Sequence, residues 1–238
     1  MIQFDNRTLY CQCPDQGYVV MSDALDYNTK WSCQSCGNSW ENSFIVAYEK
    51  AWEDAVDQLI GKMTNSESLE VLPEIVSEAE EFVQKGTSPG EGSSICFSSS
   101  HNFMMKIKSH LINLYGSLAK GSTNDVTTKI SLHQKRLELC KEFICVFSKV
   151  EDGAEFTDWW AVTAHEKLKS ELVLDQIEGR QDMQGLCKKL KTYYIPAWEH
   201  IEKVLQVEPK DSYSYQIGIS VGNDIKAAKE MVRMAEYL

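Results

Sequence analysis

Apolar residues recur three and four positions apart through most of the chain, the period of helices with one buried side. From Glu41 to Lys62 they fall at Phe44, Ala47, Ala51, Ala55 and Leu59, and Gly61 with Thr64-Asn65-Ser66 is expected to stop that helix. A second helix is predicted over Pro73 to Lys85, since proline suits a first turn, where its missing N–H costs nothing. Ile75, Val76, Ala79, Phe82 and Val83 form its apolar side, with Glu78, Glu80 and Glu81 facing water and Gly86 at its end. The run from Gly86 to Ser94, dense in glycine and serine, reads as a mobile connection inside the helical part. A third helix is predicted over His101 to Ala119, with Phe103, Ile107, Leu111, Leu114 and Tyr115 on one face. A fourth runs from Val126 to Lys149 on Leu137, Cys140, Ile144 and Phe147. Thr157 suits the N-cap of a fifth and Gly179 the position just past its end. The sixth carries Leu186, Leu190, Tyr193, Ala197, Ile201 and Val204, and Pro196 inside it should bend it or break it in two. After Glu208 to Ser212 a last helix runs to Leu238, packing through Ala227, Ala228, Met231 and Ala235, with Gly218 and Gly222 weakening its beginning.

Ahead of Glu41 the helical period is lost and cysteine takes over. Cys11-Gln12-Cys13-Pro14 is followed by Cys33-Gln34-Ser35-Cys36-Gly37, so half of the eight cysteines crowd into this stretch. A C-x-x-C-G run makes a tight turn that points two sulfurs to one side while the glycine lets the backbone close over them. Cys13-Pro14-Asp15-Gln16-Gly17 has the outline of a second such turn, with Gln16 where its second cysteine belongs. Glutamine is a weak zinc ligand, so Cys11 is expected to supply the fourth sulfur from an adjacent extended position. The reading is a structural zinc site of Cys11, Cys13, Cys33 and Cys36, set against a decayed site held by packing alone. The fold class that follows is mainly α: a zinc-binding cysteine module over 1–40, then a tetratricopeptide-like antiparallel helical array over 41–238. No clean tetratricopeptide consensus occurs in that array.

Composition narrows the class. Apolar residues make up 43% and charged residues 25% of the 238, as in ordinary globular proteins. No apolar run approaches the ~18 residues a membrane-spanning helix needs. Met1 to Arg7 lacks the basic-then-apolar pattern of a signal peptide. A cytoplasmic or nuclear location is therefore expected, where thiols stay reduced and clustered cysteines point to metal. The net charge of −11 argues against nucleic acid and suits a protein partner or a basic peptide.

Several segments together resemble a known family. They are Cys13-Pro14 with Gly17-Tyr18-Val19-Val20, then Trp31-Ser32-Cys33-Gln34-Ser35-Cys36, then Ser99-Ser100-His101-Asn102-Phe103-Met104-Met105. Gln134 to Glu142 and the late Glu208-Pro209 complete the order. The chain resembles the C-terminal part of SET-and-MYND-domain (SMYD-type) proteins, in a divergent branch with an extra cysteine module. The resemblance implies zinc-binding elements followed by a tetratricopeptide-like domain that closes over a substrate cleft. The activity it implies is methyl transfer from S-adenosylmethionine to protein lysines. Yet the sequence holds no Asn-His-Ser segment, Gly-Glu-Glu turn or MYND cysteine array, and no C-x-C-x-x-C ahead of the module. S-adenosylmethionine is accordingly not expected to bind this chain alone, and no catalytic residue is assigned. The expectation is a fragment or a paralogue without its catalytic half, a partner-holding element that works with a SET half in cis or in trans. The competing reading is a free-standing helical adaptor that binds peptides without any link to methylation.

The remaining candidates read as structure. Cys140 and Cys187 sit on apolar stripes or beside them, and the five histidines, His101, His110, His133, His165 and His200, are spread over several helices. His101 is expected to cap or buttress its helix. Of the adjacent Trp159 and Trp160, one ring is expected in the core and the other over a helix crossing, because neighbouring helix positions point about 100° apart.

Overall fold

The segment that lacks helical period folds as strands, where β-branched and aromatic side chains alternate between core and solvent. In Tyr18-Val19-Val20-Met21 the Val19 side chain is buried and its neighbours are not. In Lys30-Trp31-Ser32-Cys33 the buried pair is Trp31 and Cys33. The computed structural model describes residues 8–23, 25–26, 28–65, 68, 70–88, 94–121, 125–150, 155, 157–179 and 182–235. Its strands are β1 (Leu9–Cys11), β2 (Tyr18–Met21), β3 (Lys30–Cys33), β4 (Ser39–Glu41) and β5 (Ile95–Phe97). They form one antiparallel sheet in the order β4-β3-β2-β1-β5. β5 comes from sequence far beyond the 1–40 module and pairs Leu9 with Phe97 and Cys11 with Ile95.

The chain resolves into two compact units, Met1–Leu118 and Ala119–Leu238. In the first, the sheet is joined by α1 (Asn42–Asn65), α2 (Leu72–Thr87) and most of α3 (Asn102–Gly121). The buried side of α1 carries Ile45, Val56, Leu59 and Met63. The stripe expected at Phe44, Ala47 and Ala51 instead faces solvent, one helical position away from the buried one. Alanine offers little area to bury, so the bulkier residues fix the orientation. Tyr48 and Trp52 bring α1 onto β5: their rings lie 5.2 Å from Phe97, one stacked and one edge-on. α1 runs through Gly61 and ends at Asn65, within the expected stop, and α2 runs one residue past Gly86. Glu80 is half-buried rather than solvated, and it accepts the Tyr115 hydroxyl at 2.6 Å. His101 caps α3 as expected: its buried Nδ1 accepts the Phe103 N–H at 3.2 Å.

The second unit holds α4 (Val126–Val150), α5 (Asp158–Ile177), α6 (Met183–Lys189), α7 (Ile195–Leu205) and α8 (Tyr213–Ala235). Thr157 caps α5 by accepting the Trp160 N–H, and Gly179 follows its end at φ +57°. Between α6 and α7 the chain makes a turn of π-helix, Leu190–Tyr194, ahead of Pro196 in the first turn of α7. Proline has no N–H for the carbonyl four residues back and its ring crowds that carbonyl, so the ladder widens there and the Ile195 N–H donates to Leu190 O. The predicted sixth helix is thus interrupted by a π turn ahead of its proline, while its backbone stays helical from Met183 to Leu205 and does not part in two. Trp160 packs against the core of this unit and Trp159 is exposed. Buried positions on α8 are Gly218, Val221, Ile225, Ala228 and Val232, while Ala227 and Met231 are exposed. Successive helices pack on each other, α4 on α5 and α7 on α8. No helix among the described residues is long and apolar enough to cross a membrane.

Candidate metal centre

Strands β1 to β4 form a meander, so the β1–β2 and β3–β4 loops lie at the same end of the sheet, and these loops carry the cysteines. In the first loop the Gln16 N–H donates to Cys13 O at 2.9 Å and the Cys11 N–H to Gly17 O at 2.9 Å. Gln16 takes φ 46°, a left-handed conformation uncommon for a residue with a side chain. In the second loop the Gly37 N–H donates to Cys33 O at 3.1 Å, with Gly37 at φ 74°, and the Cys33 N–H donates to Asn38 O at 2.8 Å. This is the tight C-x-x-C-G turn expected of the sequence. The N–H groups of Ser35 and Cys36 point at Cys33 Sγ from 3.4 and 3.5 Å, stabilising negative charge on that sulfur.

The four sulfurs of Cys11, Cys13, Cys33 and Cys36 all lie within 4.8 Å of one another. Cys11 Sγ is 3.7 Å from Cys36 Sγ, and Cys13 Sγ is 3.8 Å from Cys33 Sγ. A tetrahedron with metal–sulfur bonds of about 2.3 Å has edges of about 3.8 Å, so these two opposite edges fit a bound ion closely. Each edge links the first loop to the second. Cys11, at the end of β1, brings in the fourth sulfur where the first turn has Gln16. Among the described residues this is the one group of histidine, cysteine and acidic side chains able to hold a metal ion.

Burial is graded across the cluster. Cys11 and Cys33 are buried, Cys13 is half-buried and Cys36 is exposed. Desolvation, opposed by the Cys13 backbone, pushes the Cys11 thiol up to about 12. Burial also raises Cys33, but the N–H groups of Cys36 and Ser35 outweigh it and bring that thiol down to about 7. Cys33 is therefore the sulfur that loses its proton more readily, and the buried Cys11 holds its proton more tightly, so a bound cation favours its thiolate.

Gly17 fixes how closely the loops approach. A Cβ at this position would stand 2.6 Å from Ser35 Cβ and 2.7 Å from Cys33 Sγ, so only glycine leaves room for the second turn. The sequence showed the glycine but not this role, which depends on two loops meeting. Comparison of the chain with known protein families, with curated proteins and with solved structures gave no match.

The other cysteines stand apart from this centre. Cys96, Cys140 and Cys187 are buried, Cys140 and Cys187 as expected of residues on apolar stripes, and Cys145 is exposed on α4. In the second unit His133 and His165 are buried on α4 and α5. His133 Nδ1 lies 3.5 Å from Ser170 Oγ, and Arg136 and Glu166 form a buried ion pair beside them. His165 Nε2 lies 3.4 Å from Asp224 Oδ2, and burial, with the Lys169 and Arg136 charges, drives the imidazole pKa down to about 3.

Proposed function

We propose that this chain is a non-catalytic protein-interaction module whose N-terminal strands are stapled by a structural zinc ion. We place it with the partner-holding C-terminal part of SMYD-type SET-domain proteins. The convergence of four thiols from two hairpin loops carries the metal reading. Zinc suits four thiolates in a tetrahedron, and four protein ligands leave no open position for water or substrate, so the ion's role is structural. Cys11, Cys13, Cys33 and Cys36 hold it and thereby join β1 to the β3–β4 turn. Such a clip supplies folding free energy to strands too short to stand alone.

The sequence resemblance supports the link to protein-lysine methylation, with methyl transfer belonging to a SET half in cis or in trans. A groove of about 640 Å³ in the second unit supports a basic peptide as the partner. Glu138, Glu171 and Asp175 line it together with Lys141, Lys189, Leu137, Leu174 and Tyr193; Asp175 pairs with Lys189 and Glu171 with Lys167, so Glu138 and the Tyr193 ring are what the groove offers a cationic side chain. The cytoplasm or nucleus, where thiols stay reduced, suits the metal.

Calorimetry on the zinc-loaded chain tests this reading. Lysine-rich peptides are expected to bind, with Glu138→Gln weakening them, and S-adenosylmethionine is expected not to bind. Binding of S-adenosylmethionine by this chain alone would overturn the non-catalytic reading, and absence of peptide binding would overturn the partner reading. Should peptides bind while an added SET half neither associates nor changes the affinity, the free-standing adaptor is the better account.

A further inference from the structure

The two short sulfur–sulfur distances share a property that a metal staple does not require. Both run between the loops, Cys11 to Cys36 at 3.7 Å and Cys13 to Cys33 at 3.8 Å. Joining sulfurs along these edges would tie the same two segments that the metal ties. Joining the sequence neighbours, Cys11 to Cys13 and Cys33 to Cys36, would close each loop on itself and cut the link between them. Cys36 is exposed, whereas its partner Cys11 is buried behind it, so an oxidant in solvent meets the cluster first at Cys36.

We propose that the centre is an exchangeable staple: a hydroperoxide converts the four thiols into Cys11–Cys36 and Cys13–Cys33 disulfides, releasing the metal while the strands stay joined. This rests on the structural-metal reading above and adds its regulation. In the first step the exposed Cys36 sulfur attacks the peroxide oxygen and gives up its proton, the O–O bond breaks, and a sulfenic acid forms as the displaced hydroxide takes up that proton to become water. The Cys11 sulfur then attacks that sulfur, the S–O bond breaks, and the departing hydroxide takes the Cys11 proton and leaves as a second water. Each disulfide thus gives two electrons to one hydroperoxide, and with hydrogen peroxide two thiols and one oxidant yield one disulfide and two waters. The same sequence at Cys13 and Cys33 removes the last two ligands. Reduction by a thiol pool restores the metal-binding form.

Trypsin separates the outcomes, because the sequence cuts into Thr8–Lys30, which holds Cys11 and Cys13, and Trp31–Lys50, which holds Cys33 and Cys36. The purified chain is analysed for metal, treated with hydrogen peroxide, digested without reduction and examined by mass spectrometry. The expected result is loss of bound metal with the two peptides held as one species by two disulfides, mapped by partial reduction to 11–36 and 13–33. In a Cys36→Ser chain the 13–33 bond is expected to remain and the 11–36 bond to be absent. Separate peptides with internal 11–13 and 33–36 bonds, or metal loss with sulfinic acids and no bonds, would overturn the proposal while leaving the structural metal in place. Absence of metal in the untreated, reduced chain would overturn the structural-metal reading itself.

Discussion

Gly17 faces Cys33 so closely that a Cβ on the glycine would stand 2.7 Å from the cysteine sulfur. Neither residue can move freely, since Gly17 O accepts the Cys11 N–H and Cys33 O accepts the Gly37 N–H. Gly17→Ala is therefore expected to push the two loops apart. The overpacking should cost about 1–3 kcal/mol and lower metal affinity. Competition with a chromophoric chelator measures it, and Ser35→Gly in the same chain should recover part of the loss. Unchanged affinity in Gly17→Ala would show that the loops are not in the contact described.

Gln16 offers a contrasting test. It occupies the place of a cysteine in the turn but stands at φ 46°, a conformation that costs a residue with a side chain about 1–2 kcal/mol. Gln16→Gly is expected to keep full metal content and to leave stability unchanged or slightly higher. Cys11→Ser, by comparison, should reduce metal binding sharply. If Gln16→Gly lost the metal and Cys11→Ser kept it, the ligand assignment would be reversed.

Metal removal should act locally. Chelation is expected to raise hydrogen exchange at the amides of β2, β3 and the Cys33–Gly37 turn, where the Gln34 N–H donates to Tyr18 O at 2.9 Å. Exchange in Ile201–Leu205 of α7, within the core of the second unit, should stay slow. Equal loss of protection in both places would contradict a local staple.

Acid should weaken the second unit. An unfolded histidine takes up a proton as pH falls below about 6.5. Burial with the Lys169 and Arg136 charges holds folded His165 neutral down to about 3, and burial with the Arg136 and Lys129 charges holds His133 neutral down to about 4. Between these limits the unfolded chain binds more protons than the folded one, so stability is fully present above pH 6.5 and is lost as pH drops. The slope approaches about 1.4 kcal/mol per pH unit for each histidine. Denaturant midpoints between pH 7.5 and 5 measure it, and His165→Leu should flatten the dependence. An unchanged slope in that variant would assign the effect to other groups.

Tyr115 and Glu80 link α3 to α2 through a hydrogen bond to a carboxylate in a half-buried setting. Tyr115→Phe is expected to cost about 1.5–3 kcal/mol, read as a lower urea midpoint with unchanged metal content. A neutral effect would show that solvent replaces the bond.

Much of this fold is written in local signals. The Thr157 cap, the disturbance of the helix at Pro196 and the C-x-x-C-G turn each depend on a few adjacent residues, so each is legible from sequence. The sheet is less so: its strands are three or four residues long, and β5 becomes a strand only because β1 pairs with it. Spacing alone also misplaced the buried side of α1, where Ile45 and Val56 outweigh the alanines beside them. At the centre, cysteine identity named the ligands, but the closeness allowed by Gly17 arises from two loops that meet only in the folded chain.

X-ray absorption at the zinc edge on the purified, reduced chain tests the central claim most directly. The account predicts one zinc per chain, with a shell of four sulfurs at about 2.3 Å that is lost in Cys11→Ser or Cys33→Ser. A shell dominated by oxygen or nitrogen, or zinc far below one per chain, would contradict it.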